Sequence, residues 1–158
     1  MKIKYINQDI TEEDSGVIVQ GVNCQGVQGS GVALAIRKKW PKVYSEYKQF
    51  CDTTPSKEML LGHNNIVHIN SDLLIVNAFT QLSYGRDGKE YASYDAIRSC
   101  MNKLMKTLDT MKSLDIDTDN IVKMPMLGCG LGGLNWVGVS RIIREELHAI
   151  DTVNVYFL

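Results

Sequence analysis

A chain of 158 residues with 17 Lys and Arg against 18 Asp and Glu is close to neutral, so bulk charge gives no reason to bind DNA, RNA or an anionic membrane. Its apolar fraction of 44% and charged fraction of 22% are those of a globular protein able to bury a real core. No apolar run approaches the length of a membrane span.

The N-terminal MKIKYIN alternates into a strand over Lys2 to Asn7 rather than a signal peptide. Gln8-Asp9-Ile10-Thr11 reads as a polar turn and Glu12 to Ser15 as a loop. Val17 to Val22 is a continuous apolar run, the pattern of a parallel strand covered on both faces. It leads through Gly26, Gly29 and Gly31 into a helix with Val32, Ala35 and Ile36 on one side. The order strand, glycine loop, helix N-terminus aims backbone N–H groups and the positive end of the helix dipole at one spot, which suits a phosphate. Pro41 fits the first turn of a second helix, Lys42 to Cys51.

Lys57 to Leu61 is read as a short strand, and Ile66 to Ile69 and Leu73 to Ala78 as stronger ones. Thr80 to Glu90 is a long polar loop containing Tyr84 and Arg86. Ser93 to Met111 has Ile97, Met101, Leu104, Met105 and Leu108 at helical spacing. A strand, Ile121 to Met126, precedes a second glycine loop, Gly128 to Gly133. A helix over Val137 to His148 and a strand over Val153 to Leu158 follow. Alternating strands and helices predict an α/β fold with a mostly parallel mixed sheet and helices on both faces, as one domain over residues 1–158.

Several motif readings fail on their own chemistry. Gly128, Gly130 and Gly133 spell a dinucleotide fingerprint, but on a late turn, and the strand after them ends Tyr156-Phe157-Leu158 without an acidic residue for a ribose. Neither glycine loop ends in the Lys-Ser/Thr of a P-loop. A thiol phosphatase needs an arginine to close its phosphate cradle, whereas the sixth residues after Cys24 and Cys129 are Ser30 and Asn135. Asp115-Ile116-Asp117 follows a helix and reads as a polar turn. Cys24, Cys51, Cys100 and Cys129 form no metal-like spacing, and His63, His68 and His148 are scattered, so no metal or cofactor is expected.

What survives is the pair of glycine loops. If their two strands lie side by side, both loops meet at the carboxyl end of the sheet, where open α/β sheets bind ligands. Two facing sets of N–H donors suit a diphosphate. Asp9 is placed to accept from an adenine amino group, or is a turn or cap residue. Asn23 offers an amide to sugar hydroxyls, or is a turn amide.

Gln8-Asp9-Ile10-Thr11, Val22-Asn23-Cys24, Gly29-Ser30-Gly31-Val32-Ala33 and Gly128-Cys129-Gly130-Leu131-Gly132-Gly133-Leu134-Asn135-Trp136 resemble, in order and spacing, the macro domain family, over nearly the whole chain. The resemblance implies a three-layer α/β/α fold that binds ADP-ribose. The implied surface is Gln8, Asp9 and Ile10 at the adenine; Gly21, Val22 and Asn23 at the distal ribose; and two loops around the diphosphate and distal ribose. Those loops are Gln28, Gly29, Ser30, Gly31, Val32 and Ala33, and Leu127, Gly128, Cys129, Gly130, Leu131, Gly132 and Gly133.

Within the family, the compact phage- and yeast-type ADP-ribose-1″-phosphate phosphatases look most similar. Glycohydrolases that release ADP-ribose from glutamate or thymidine have a lysine where this sequence has Gln81, and the glutamate-specific branch has an aspartate where it has Gly132. The implied activity is hydrolysis of ADP-ribose-1″-phosphate, with Asn23 positioning the distal ribose or an attacking water and no strong general base. Arg86 either reaches the leaving phosphate or is a solvated loop residue. The alternatives are a non-catalytic reader of ADP-ribosylated macromolecules and a glycohydrolase lacking the lysine. The further expectations are a cytoplasmic monomer with no membrane partner.

Overall fold

The computed structural model describes residues 1–29 and 31–158; Ser30 lies outside the described residues. Six strands form one sheet: β1 (Lys2–Asn7), β2 (Gly16–Asn23), β3 (Asn64–His68), β4 (Leu73–Gln81), β5 (Ile121–Pro125) and β6 (Thr152–Phe157). Their spatial order is β1-β6-β5-β2-β4-β3. Every neighbouring pair is parallel except β3 with β4. Four α-helices cover the faces: α1 (Gly31–Lys39), α2 (Pro41–Thr53), α3 (Tyr94–Ser113) and α4 (Trp136–Glu146). The fold is the expected α/β/α sandwich around a mostly parallel mixed sheet.

The two faces bury separate cores. On one, Val17, Val19, Val76, Val122, Met124, Val153 and Val155 pack against the apolar stripes of α3 and α4. On the other, Ile18 and Ile75 meet Ile36 of α1 and Val43 of α2. Beside them, Val22 and Phe79 meet Tyr47 and Cys51 of α2. Those two groups are separated by a row of buried amides across three strands. Gln20 Nε2 donates to Asn77 Oδ1 (2.7 Å), and Asn77 Nδ2 donates to Asn65 Oδ1 (3.0 Å). The row follows the register, which sets Gln20 and Asn65 opposite Asn77.

Helix α3 carries the periodicity read from sequence, with Ile97, Cys100, Met101, Leu104 and Leu108 buried and the Ser93 hydroxyl capping its first turn. Two local expectations are corrected. Lys57 to Leu61 is a single 3₁₀ turn over Lys57–Met59, not a strand. The antiparallel partner of β4 starts later, at Asn64, and a run as charged as Lys-Glu-Met with one buried neighbour, Leu60, has no face to bury as a strand. The polar turn after β1 is also helical, a 3₁₀ turn over Ile10–Glu12 capped by Asp9.

That short turn is tied to the sheet through Glu13. The Tyr156 hydroxyl donates to Glu13 Oε1 (2.7 Å), and Lys123 Nζ, which also donates to Ser15 O, lies 3.1 Å from Oε2. These contacts, the tyrosine hydroxyl first, hold the Glu13 carboxyl below its ordinary value of 4.5. A depressed carboxylate stabilises the folded state above its unfolded value, and that contribution disappears as pH falls through the folded value. Stability measured by urea unfolding is therefore expected to decline below pH 4.5. Glu13→Gln should be less stable at neutral pH by about 1–3 kcal/mol, the range for a hydrogen bond to a charged group, and should show a shallower acid decline. An unchanged acid profile in the variant would remove Glu13 from that role.

Candidate functional site

Strands β2 and β5 are paired at only two positions, Val17 with Val122 and Ile18 with Lys123. Beyond these they part, and a cleft opens between their carboxyl ends. Chain order reverses here, with β4 and β3 on one side of the pair and β6 and β1 on the other, which is the switch point where α/β sheets bind ligands.

The cleft has three connected compartments. The outer one, about 270 Å³, is lined by Gln8, Asp9, Ile10, Gly31, Val32, Tyr156 and Phe157. The middle one, about 720 Å³, lies between Gly31, Val32 and Ala33 on one side and Leu127, Gly128, Cys129, Gly130, Leu131 and Gly132 on the other. The inner one, about 240 Å³, is lined by Gly21, Val22, Asn23, Val27, Gln28, Gly29, Gln81, Tyr84 and Arg86. Tyr156 and Val32 border both outer and middle compartments, and Gly21, Gln81 and Arg86 border both middle and inner ones. Among the described residues, the formal charges on these walls are Asp9 at the outer end and Arg86 toward the inner end.

Of the residues expected from sequence, all described ones lie on this wall except Gly133. Gly133 has φ +81°, and a Cβ there would sit 3.0 Å from Lys89 O, so it serves the contact between the second glycine loop and the 89–92 segment. Asp9 is committed on one side only: its Oδ1 accepts from the Thr11 N–H (2.9 Å) and hydroxyl (2.7 Å). The Thr11 N–H, and then its hydroxyl, hold the Asp9 carboxyl below its ordinary range, so it is an anion with a second oxygen to offer.

Asn23 is more constrained than an exposed turn amide. Its Oδ1 accepts from the Gln25 N–H (2.9 Å), its Nδ2 donates to Val27 O (2.8 Å), and the Tyr47 hydroxyl lies 2.9 Å from Oδ1 and 2.7 Å from its main-chain O. One amide hydrogen is left over. Arg37, stacked 3.7 Å from the Tyr44 ring, donates to Gln28 O and pins the far end of the same loop. Cys24 is fully buried, and burial pushes its thiol up to about 12, which removes it as a thiolate nucleophile. Cys129 is also shifted upward by burial.

The polar loop expected over Thr80 to Glu90 starts later, after β4 ends at Gln81, and runs on to Ala92. Its ends are joined, Gln81 bridging Ala92 and the Ser93 N–H donating to Thr80 O. Tyr91 and Ala92 both donate their N–H to Gly132 O, stitching the segment to the second glycine loop. The Tyr91 hydroxyl donates to Asp87 (2.8 Å) and packs under Gly85, where a Cβ would lie 2.2 Å from it. The result places Tyr84 and Arg86 on the cleft wall. Thr80, Pro125, Tyr156 and Phe157 are wall residues that the sequence reading did not select.

The sequence profile of the Macro domain family matches residues 19–143. The chain belongs to the macro domain family. It is 28% identical over 157 residues to the DNA ADP-ribosyl glycohydrolase of Mycobacterium tuberculosis, covering 96% of this chain but 41% of that protein's length. It is 25% identical to the ADP-ribose 1″-phosphate phosphatase of Lodderomyces elongisporus, covering 100% of this chain and 99% of that one. A solved structure of a protein of unknown function from Bacteroides thetaiotaomicron is 31% identical with a TM-score of 0.84, covering 100% and 99% of the two chains.

The glycines of this macro domain divide by what holds them small. A Cβ on Gly132 would lie 2.6 Å from Gly128 O, and one on Gly128 would meet Leu134, Ala92 and Ile97 at 3.0 to 3.1 Å. By contrast, a Cβ on Gly29 or Gly130 would meet nothing within 4 Å among the described residues, and neither glycine has positive φ. The protein itself does not require glycine at those two places, and both face the cleft. In thermal unfolding, Gly132→Ala is expected to destabilise by about 1–3 kcal/mol through overpacking. Gly29→Ala and Gly130→Ala are expected to be neutral or to stabilise by up to about 1 kcal/mol through the unfolded state. Equal destabilisation at all three positions would show that the two open glycines are architectural after all.

Proposed function

We propose that the cleft binds ADP-ribose in extended form and that the chain hydrolyses ADP-ribose-1″-phosphate to ADP-ribose and inorganic phosphate. The observation that carries the reading is the polarity of one continuous groove. An anion, Asp9, stands beside the aromatic rings of Tyr156 and Phe157 at the outer end, suited to a base with an exocyclic amino group. Open backbone of two glycine loops and the first turn of α1 lines the middle, suited to a diphosphate. Amides and one guanidinium surround the inner end, suited to a sugar bearing a further phosphate. The relative from L. elongisporus, matched end to end, supports the choice of reaction.

In the proposed reaction, water attacks the terminal phosphorus and the bond from phosphorus to the anomeric oxygen breaks. The electron pair stays on that oxygen, which takes a proton from solvent, and the attacking water gives one proton up to solvent as it becomes a phosphate oxygen. An anomeric hydroxyl is more acidic than an ordinary alcohol, so it leaves without a strong general acid. Transfer from a phosphate monoester passes through a loose transition state that needs positioning and charge stabilisation more than a strong base. Arg86 supplies the positive charge, the leftover amide hydrogen of Asn23 orients the sugar or the water, and the N–H groups at the start of α1 face the phosphates. By the family resemblance, Gln81 stands where a lysine-based glycohydrolase has its lysine, and this supports the phosphatase reading over that mechanism. A second reading, a non-catalytic receptor for ADP-ribose, is favoured by the absence of a carboxylate, imidazole or lysine among the described inner-wall residues.

Calorimetry is expected to show ADP-ribose binding at least about tenfold tighter than AMP, a difference of 1.4 kcal/mol, because AMP reaches neither the second phosphate nor the inner end. Asp9→Asn keeps an oxygen for the Thr11 cap, so its melting temperature should hold while ADP-ribose affinity falls by about 1–3 kcal/mol. Equal affinity for AMP and ADP-ribose would sink the extended-ligand reading. Phosphate release from ADP-ribose-1″-phosphate should be measurable in single turnover and should drop about 100-fold in Arg86→Ala, the cost of removing a donor aimed at developing charge. Tight ADP-ribose binding without any phosphate release would replace the enzyme with the receptor.

A further inference from the structure

Strand β4 carries two buried polar residues, and they are treated in opposite ways. Asn77 is fully buried and its amide is bonded to Gln20, Asn65 and Val43 O. Thr80 is 1% exposed but borders the cleft, and none of the side-chain hydrogen bonds among the described residues engages its hydroxyl. Valine has the same shape, so the hydroxyl is what threonine adds to the wall at this point. Thr80 lines the middle compartment of the cleft, beside Gln81 and Arg86.

Two further features direct this hydroxyl into the cleft. The register between β2 and β4 runs Val22 opposite Phe79 and then Asn23 opposite Gln81, so Thr80 is the extra residue of a β-bulge. A bulge re-aims the side chain it carries. On the neighbouring strand, Gly21 has no positive φ, yet a Cβ there would lie 2.8 Å from Thr80 Oγ1. Any side chain at position 21 would cover the hydroxyl from the cleft side, and Gly21 borders both the middle and inner compartments.

We propose that Thr80 is a specificity-determining residue whose hydroxyl bonds a hydroxyl of the sugar that follows the diphosphate, and that Gly21 is bare so that the sugar reaches it. This rests on the ADP-ribose reading of the cleft. A threonine hydroxyl both donates and accepts, which matches a sugar hydroxyl, itself donor and acceptor. The phosphate-bearing end is left to Arg86, the cation on the same wall. The contact discriminates by reach, because a ligand ending at the diphosphate does not extend to the Thr80 hydroxyl.

The test compares wild type, Thr80→Val and Thr80→Ser for binding of ADP-ribose and of ADP, which ends at the diphosphate, alongside thermal unfolding. Thr80→Val should lose about tenfold in affinity for ADP-ribose and stay within about twofold for ADP, the size of one buried hydrogen bond. Its melting temperature should be unchanged or higher. Thr80→Ser restores a hydroxyl and should recover ADP-ribose affinity to within about threefold of wild type. Unchanged ADP-ribose affinity in Thr80→Val, an equal loss for ADP, or a lowered melting temperature would each overturn the assignment while leaving the ADP-ribose reading intact. Should Thr80→Val fail to fold, the hydroxyl is structural and the assignment falls. A wild type that binds ADP-ribose no better than ADP would overturn the reading of the inner end, and the Thr80 contact with it.

Discussion

Everything at the site follows from one interrupted pairing. Strands β2 and β5 share two residue pairs and then separate, while each stays fully paired on its other side, β2 along β4 and β5 along β6. The gap cannot close by the strands sliding together, because each is held by its outer neighbour. The two glycine loops follow the ends of the parted strands, and the start of α1 borders the same gap. A sheet zipped along its full length would leave no cleft. The separation therefore opens the cleft and lines it with main chain.

Rigidity at the inner end comes largely from side chains packed behind the cleft wall. Tyr47, buried among Phe79, Cys51 and Val22, fixes Asn23, and Asn23 in turn fixes the main chain at Gln25 and Val27. Arg37 holds Gln28 O from α1. A loop bearing several glycines would otherwise carry a large conformational entropy cost on meeting a ligand; here most of that ordering is complete in advance. The same economy applies across the cleft, where Gly132 O accepts two N–H groups and brings the Tyr84 to Arg86 segment to the wall.

How much of this was legible in the sequence depended on the range of the interaction. The apolar run of β2 and the 3.6-residue spacing of α3 are local signals, and both elements stand where they were expected. The two glycine loops, and the idea that they face each other, also followed from local order once their strands were taken as neighbours. Asn23 was visible as a polar residue at a strand end, but its partner Tyr47 is 24 positions away on α2 and nothing local announces the pair. Tyr156 and Phe157 read only as a closing strand, because their place on the cleft depends on β6 lying beside β5. Thr80 was passed over for a similar reason: a bulge is a mismatch between two strands, and neither strand shows it alone. Lys57 to Leu61 was misread because a five-residue run has too little periodicity to separate a strand from a turn.

The buried row of Gln20, Asn77 and Asn65 has a consequence for how this sequence is free to vary. Each amide answers another on an adjacent strand, so replacing any one with an apolar residue strands its neighbour in a dry interior. Replacing all three together with residues of similar volume removes the problem. Single steps away from the native trio are therefore costly where the concerted step is not, and the three positions behave in inheritance as one locus. Their pairing also labels the register, since a shift of one residue in β3 or β4 sets an amide against Val76 or Ala78. The molecule thus carries, in its least accessible layer, an address that tells β2, β4 and the edge strand β3 which residue belongs opposite which.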